Sequence, residues 1–153
     1  MPAIRTVGYE RTSIGEFVDG MRKFGVKRVL DIRELPLSRK EGFSKRALRQ
    51  QLEAVGIDYM HLKHLGDPKP GRDAARSGQI AEFKRIFYAH MHTEAAKQAL
   101  ALAAELASEL PSVLLCYERS FSCCHRAIVA EALKSVYGFR IQHIDILNEE
   151  ISG

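Results

Sequence analysis

The sequence predicts a single α/β domain, residues 1–153, whose mostly parallel sheet of about five strands has helices on both faces. Two observations lead to this fold class. Short apolar segments alternate along the chain with longer segments whose apolar residues recur at helical spacing. Capping residues and glycines stand at the boundaries between them. Strands that alternate with helices in this way form βαβ units, which place parallel strands in one sheet.

The first strand is predicted at residues 4–9, and a helix follows it. Ser13 and Glu16 form a capping box at the start of that helix, because each side chain can bond the other residue's backbone amide. Gly25 supplies the left-handed residue that ends it. A second helix is predicted to begin at Ser44. The later strands are, in order, VKRVLDI, IDYMHL, SVLLCY and IQHI.

The second half of the chain is predicted to contain a long loop and three helices. Residues 63–77 include two prolines and two glycines, so we expect a loop of about 15 residues, long enough to be functional or mobile. Helices are expected from about Gly78 to His90 and from Thr93 to Pro111. Ser122 is the expected N-cap of the last helix, which would put Cys123, Cys124 and His125 in its first turn.

Composition excludes several classes of protein. The chain is 46% hydrophobic and 27% charged, as in an ordinary globular protein. The start lacks the apolar run of a signal peptide, and no segment approaches a membrane span. Three cysteines, two of them adjacent, do not form a disulfide framework. We therefore expect a cytoplasmic protein with no membrane partner.

Positive charge is concentrated in the first half of the chain. Residues 1–76 hold 16 Lys and Arg against 10 Asp and Glu, whereas residues 77–153 hold 7 against 9. The basic run within residues 33–49 is interpreted first as a solvated face. An anion-attracting rim is the second interpretation, and it leaves nucleic acid as a possible partner.

Candidate site residues follow from the rule that ligands bind outside the carboxyl ends of parallel strands. The strand ends supply, in chain order, Gly8, Tyr9, Arg11, Asp31, Arg33, His61, Cys116 and Glu118. Asp31 and Arg33 lie on the same side of an extended chain, because side chains alternate with period two. They can form a structural ion pair or hold a ligand's hydroxyl and phosphate groups.

The run Cys124-His125-Arg126 is the most informative segment for chemistry. A helix start favours a thiolate and binds anions, so Cys124 is the candidate nucleophile, with His125 beside it. Glu118 is the candidate general acid or base, and Arg126 would hold a phosphate or carboxylate. Simpler alternatives remain open: buried cysteines as small apolar residues, and a Glu118–Arg126 ion pair that ties the loop to the helix.

A metal site is a weaker alternative. Cys116, Cys123, Cys124, His125 and His143 are near one another in sequence or sheet order. Their spacing does not match the paired C-x2-4-C arrangement of structural zinc, and adjacent cysteines rarely bind one ion. The sequence therefore predicts no metal and no cofactor.

Four segments together resemble the domain-of-unknown-function 488 family. They are TVGYERTSIGEF, VLDIRELPLSR, IDYMHLKHLG and LLCYERSFSCCHRAIVAEAL. The resemblance spans nearly the whole chain, and the family's pattern falls on Thr6, Gly8, Asp31, Arg33, Cys116, Glu118, Cys124, His125 and Arg126. Tyr9 stands where the family commonly has His, and Cys123 is an addition to the pattern. The resemblance implies a site but no activity.

A fainter similarity links LDIRE to the opening of rhodanese-type sulfurtransferases. Those enzymes wrap a tight loop from the catalytic Cys directly into a helix. Here Glu118 follows Cys116, and the next useful arginine, Arg126, is ten residues away. The Glu118 carboxylate, two residues after Cys116, would also repel an anionic substrate.

The leading functional hypothesis is an enzyme acting on a phosphate-bearing small molecule, such as a nucleotide or nucleoside derivative. In it, Arg33 and Arg126 hold the anion, and Glu118 performs acid–base or nucleophilic work. One alternative is a non-catalytic module that binds a nucleotide or nucleic acid with the same residues. The other is rhodanese-like sulfur or phosphoryl transfer through a cysteine. The sequence leaves the oligomeric state open.

Overall fold

The computed structural model describes residues 2–121 and 124–153, and it confirms the predicted fold class. Within those residues, six strands form one sheet in the order β3-β2-β4-β1-β5-β6. The strands are β1 (Ala3–Gly8), β2 (Arg28–Asp31), β3 (Asp58–His61), β4 (Ser112–Cys116), β5 (Arg140–Asp145) and β6 (Glu150–Ser152). The first five run parallel. The sequence did not predict β6, an exposed antiparallel edge strand without apolar alternation.

Helices cover both faces of the sheet, as expected. They are α1 (Ile14–Lys23), α2 (Lys45–Glu53), α3 (Lys69–Arg76), α4 (Ile80–Met91), α5 (Glu94–Glu109) and α6 (His125–Tyr137). Alternation along the strands divides the core in two. Val113 and Leu115 of β4 pack with residues of α1 and α2, whereas Leu114 packs with residues of α4, α5 and α6. Among the described residues, no helix combines the length and apolar character needed to cross a membrane.

The caps of the first helix formed as predicted. The Ser13 side chain accepts from the Glu16 amide at 3.1 Å, and the Glu16 carboxylate accepts from the Ser13 amide at 2.9 Å. Gly25, just after the helix, has a φ of 71°. Ser44 is the N-cap of α2, although its side chain makes no capping bond there.

The expected loop at residues 63–77 is wrong. A 3-10 turn at Lys63–Leu65 is followed by α3, which begins directly after Pro68 and has Pro70 in its first turn. Proline is tolerated in the first turn of a helix because the amides there have no partner inside the helix. Ala74 then packs into the core, which stabilises a segment that its composition marked as irregular.

The start of α6 also differs from the prediction. The helix begins at His125 with Cys124 as its N-cap, and the Cys124 sulfur accepts from the Arg126 amide at 3.5 Å. Ser122 and Cys123, the expected cap and first-turn residue, lie outside the described residues. Cys124 therefore precedes the helix, and its sulfur takes the part expected of the Ser122 hydroxyl.

The chain after β4 folds back over the end of β1 at Gly8. Gly8 pairs with Cys116 in the sheet, and a Cβ at Gly8 would collide with the backbone carbonyl of Glu118. We expect Gly8→Ala to displace the segment at Glu118 and to lower the free energy of unfolding by roughly 1–3 kcal/mol, as overpacking does. Urea denaturation measures this change.

Gly15→Ala is the matched control for Gly8→Ala. Gly15 is exposed in the first turn of α1, and the added methyl group meets nothing closer than the Ser13 hydroxyl at 4.0 Å. This variant should be at least as stable as the wild type, because alanine favours helix. Equal stability of both variants would contradict the close approach at Gly8.

Candidate functional site

The carboxyl ends of the parallel strands border a cavity of about 690 Å³. Its volume is within the range of small-molecule sites. Of the predicted site residues, those that line it are Tyr9, Arg33, Cys116, Glu118, Cys124 and His125. The lining also includes five charged residues of α3 and the segment before it: Asp67, Lys69, Arg72, Asp73 and Arg76. Residues predicted from four separate parts of the sequence thus meet at one cavity.

The other predicted site residues do not line this cavity. Gly8 lies beneath the Glu118 carbonyl, and Asp31 and Arg126 are fully buried. His61 bonds through Nε2 to the Arg33 carbonyl at 2.7 Å. Arg11, whose φ is 67°, lines a second cavity of about 420 Å³.

Arg126 is a buried guanidinium that bonds entirely within the protein in the contacts described. Its Nε donates to the Thr6 hydroxyl at 3.1 Å, and its Nη1 donates to the Cys116 sulfur at 3.1 Å. Nη1 and Nη2 also donate to the backbone carbonyls of Glu118 and Arg119. Burial lowers the pKa of Arg126 to about 10, so the side chain remains a cation at neutral pH. Arg126 does not line the cavity, but its hydrogen bonds to the carbonyls of Glu118 and Arg119 hold this segment in position.

Asp31 and Arg33 form a buried pair. Arg33 donates to the two Asp31 carboxylate oxygens at 2.9 and 2.7 Å and to the Phe43 carbonyl at 2.7 Å. Burial alone would lower the pKa of Arg33, but Asp31 reverses this and the net shift is upward. Tyr59 donates a 2.5 Å hydrogen bond to Asp31 as well. This arrangement fixes one wall of the cavity, as a structural ion pair does.

The two cysteines of the site meet through their side chains. The Cys116 and Cys124 sulfurs are in contact, while their Cα atoms are 7.7 Å apart. The sequence predicted no disulfide framework, and Cys116 was expected as a strand-end site residue or, more simply, as a small buried apolar residue. The two sulfurs meet because β4 ends beside the residue that caps α6.

His125 is a neutral, oriented imidazole. Its Nε2 lies 2.7 Å from the Ile32 carbonyl and its Nδ1 lies 3.7 Å from the Cys124 sulfur. Burial lowers its pKa to about 4. A carbonyl accepts only, so Nε2 carries the proton and Nδ1 presents its lone pair to the sulfur.

Glu118 is half-buried beside the sulfurs. Its Oε2 lies 3.5 Å from the Cys116 sulfur. Burial raises the pKa of the Glu118 carboxyl, and the opposing influences include the nearby Arg126 cation. A carboxyl group in such an environment is suited to proton transfer.

Asp67 is the functional candidate that sequence reasoning missed. It is 5% exposed, and its Oδ1 is buried without a hydrogen-bond partner among the described residues. Burial raises its pKa to about 7, and the like charges of Glu118 and Glu34 add to the shift. The sequence does carry a signal for it, because Asp67 directly precedes Pro68, the N-cap of α3. The prediction of a loop over residues 63–77 left that signal unused.

These features define a class: an α/β protein with a mostly parallel sheet and a charged cavity at the carboxyl edge. The chain belongs to the family described as "Domain of unknown function DUF488", whose model matches residues 13–133. That match confirms the resemblance seen in the sequence motifs, although Thr6 and Gly8 precede the matched range. No curated protein and no solved structure matched the chain.

The buried position of Arg126 leads to a stability prediction. Arg126→Met keeps the volume but leaves the carbonyls of Glu118 and Arg119 without these donors, so we expect a loss of roughly 2–5 kcal/mol in unfolding free energy. Arg85→Met on α4 is the control, because Arg85 is exposed and its ion pair among the described residues is with Glu82. Chemical denaturation should show a change below about 0.5 kcal/mol for the control. Similar losses in both variants would contradict the positioning role.

The raised pKa of Asp67 predicts a pH-dependent stability. Between its ordinary value of 3.8 and about 7, the unfolded carboxyl ionises before the folded one, so rising pH destabilises the protein. Asp67→Asn removes this effect. As the pH rises from 4 to 8, the unfolding free energy of the variant should increase by roughly 1–3 kcal/mol relative to that of the wild type. Denaturation across that range measures the gain.

Asp73→Asn provides the comparison for Asp67→Asn. Asp73 lies on α3 but is exposed, and its hydrogen bond with Lys69 lowers its pKa. Asp73→Asn should therefore show no gain as pH rises. If the difference in unfolding free energy between Asp67→Asn and the wild type did not change with pH, the Asp67 carboxyl would titrate normally and the prediction would be wrong.

Proposed function

We propose that the chain is an enzyme acting on a phosphate-bearing small molecule, such as a nucleotide or nucleoside derivative. One observation carries the proposal: Glu118 and Asp67 are among the acidic side chains that line one cavity, and burial raises the pKa of both carboxyl groups. Carboxyl groups whose pKa is raised in this way cluster at sites of acid–base chemistry.

Two carboxyl groups in one cavity can divide the work of acid–base catalysis. With a pKa of about 7, Asp67 is available in its protonated form near neutral pH and can donate to a leaving group. Glu118, which lines the same cavity, accepts a proton from water or attacks as a nucleophile. Glycosyl transfer uses a pair of carboxyl groups in this way, and the glycosidic bond of a nucleoside is a substrate of that kind.

The cavity also offers a surface for a planar ring. Tyr9 stacks on Phe43 with ring centroids 4.3 Å apart, and Tyr117 meets Tyr9 edge-on at 5.3 Å. Tyr117 is 47% exposed, so part of its ring is accessible to a ligand. Aromatic side chains of this kind bind bases through stacking. This supports a nucleoside part in the substrate.

The anion-binding role moves from Arg33 and Arg126 to the cations of α3. Arg33 and Arg126 bond internally, as described above. Arg76 is exposed where it lines the cavity, whereas Arg72 is engaged with Glu34 at 2.5 Å. We assign the phosphate group to the Arg76 side of the cavity. We also retain a cytoplasmic location, where the surroundings keep thiols reduced.

The test is turnover by Glu118→Gln. A panel of nucleotides and nucleosides is incubated with the wild type, and products are identified by liquid chromatography and mass spectrometry. We expect kcat to fall at least about 100-fold in Glu118→Gln, because acid–base groups contribute that much, while the dissociation constant changes little. Glu105→Gln, at an exposed position of α5, should leave both unchanged.

Three outcomes would each contradict a different part of the proposal. Binding of a nucleotide without any wild-type turnover would identify a non-catalytic binding module. Full turnover by Glu118→Gln with loss in Cys124→Ser would instead favour group transfer through the cysteine. Equal affinity for phosphorylated and dephosphorylated ligands would remove the phosphate from the proposal.

A further inference from the structure

Three potential metal ligands converge at the floor of the cavity. The sulfurs of Cys116 and Cys124 and a ring nitrogen of His125 all lie within 4.8 Å of one another, and all three residues are buried. They come from two elements, the end of β4 and the start of α6. The sequence places these residues among the candidate ligands, but their spacing does not match a structural zinc motif, and a metal was therefore not predicted.

His125 is held as metal-bound histidines are held. Its Nε2–H donates to the Ile32 carbonyl at 2.7 Å, which leaves the Nδ1 lone pair directed toward the sulfurs. Metal-binding histidines almost always donate their other ring N–H to a carbonyl or carboxylate. The Phe87 ring meets the imidazole edge-on at 5.3 Å and restricts its rotation.

Both sulfurs receive hydrogen bonds. Arg126 donates its Nη1–H to the Cys116 sulfur at 3.1 Å and its backbone N–H to the Cys124 sulfur at 3.5 Å. Donors and a nearby cation favour the thiolate, which is the form that binds metals. The guanidinium would also offset part of the negative charge of two thiolates.

A disulfide between the same cysteines is the competing interpretation of the sulfur contact. Disulfides usually join Cα atoms about 4.4–6.8 Å apart, and a wider pair needs backbone movement. Here the Cα atoms are 7.7 Å apart. Two sulfurs on one tetrahedral zinc lie about 3.8 Å apart, so side-chain rotation would separate them to bind it. The wide Cα spacing and the directed Nδ1 lone pair favour a shared metal.

We propose that Cys116, Cys124 and His125 bind one divalent cation of the zinc class, with a fourth coordination position that faces the cavity. Thiolate and imidazole ligands select such ions. All three residues line the cavity, so a water or substrate atom can complete the coordination. Glu118 Oε2, 3.5 Å from the Cys116 sulfur, borders that position. Three protein ligands with an open position are typical of catalytic zinc.

The experiment uses the full chain, purified and kept under anaerobic reducing conditions. Metal content is measured by mass spectrometry, and the metal-free protein is titrated with Co²⁺. We expect one equivalent of metal and the absorption of a tetrahedral cobalt–thiolate centre. Cys116→Ser, Cys124→Ser and His125→Ala should each lower Co²⁺ affinity at least about 10-fold and change that spectrum. Circular dichroism checks that each variant folds.

His92→Ala is the matched control, because it removes an exposed histidine at the end of α4 that is not among the residues lining the cavity. It should keep the stoichiometry and the spectrum. Absence of a stoichiometric site in the wild type would overturn the proposal, as would unchanged binding in all three ligand variants. A Cys116–Cys124 disulfide that persists under reducing conditions would also overturn it. None of these readouts depends on substrate turnover, so they test the metal site independently of the proposed function.

Discussion

The buried guanidinium of Arg126 is the constraint on which the site depends. It joins Thr6 of β1, Cys116 of β4 and the carbonyls of Glu118 and Arg119 to α6. A cation removed from water needs a full set of acceptors. Those acceptors oblige the chain after β4 to turn back over Gly8, which leaves Glu118 beside the cavity. The position of the principal acid–base candidate thus follows from a charge that never reaches the cavity.

A second network of hydrogen bonds, around residues 31–33, holds another part of the cavity lining in place. Asp31 and Arg33 pair in the core, and the backbone carbonyls of Ile32 and Arg33 accept from His125 and His61. The residues that the sequence singled out therefore divide into two groups. Asp31, Arg33 and Arg126 hold segments together, whereas Glu118, Cys116, Cys124 and His125 present their atoms at the cavity.

The two proposals concern adjacent parts of one cavity. The sulfurs and His125 lie at its floor, Glu118 borders them, and Asp67 lies in the wall that includes α3. A metal at the floor would polarise a bound water or substrate oxygen, while the carboxyl groups exchange protons with it. Asp67 interacts electrostatically with Glu118, so its titration reports on the same cavity.

The sequence by itself determined most of the helices and strands and the edge of the sheet at which the candidate residues lie. Apolar alternation and caps such as Ser13 are local signals, and parallel strands bring their carboxyl ends together whatever the details of packing. Tertiary structure decided the rest. The helix α3 forms because Ala74 finds a place in the core, and Asp67 acquires its raised pKa only through burial near Glu118. Cys116 and Cys124 are eight residues apart, and their meeting depends on the path of the chain after β4, where Arg126 holds the carbonyls of Glu118 and Arg119; no helical or strand periodicity in the sequence encodes that path.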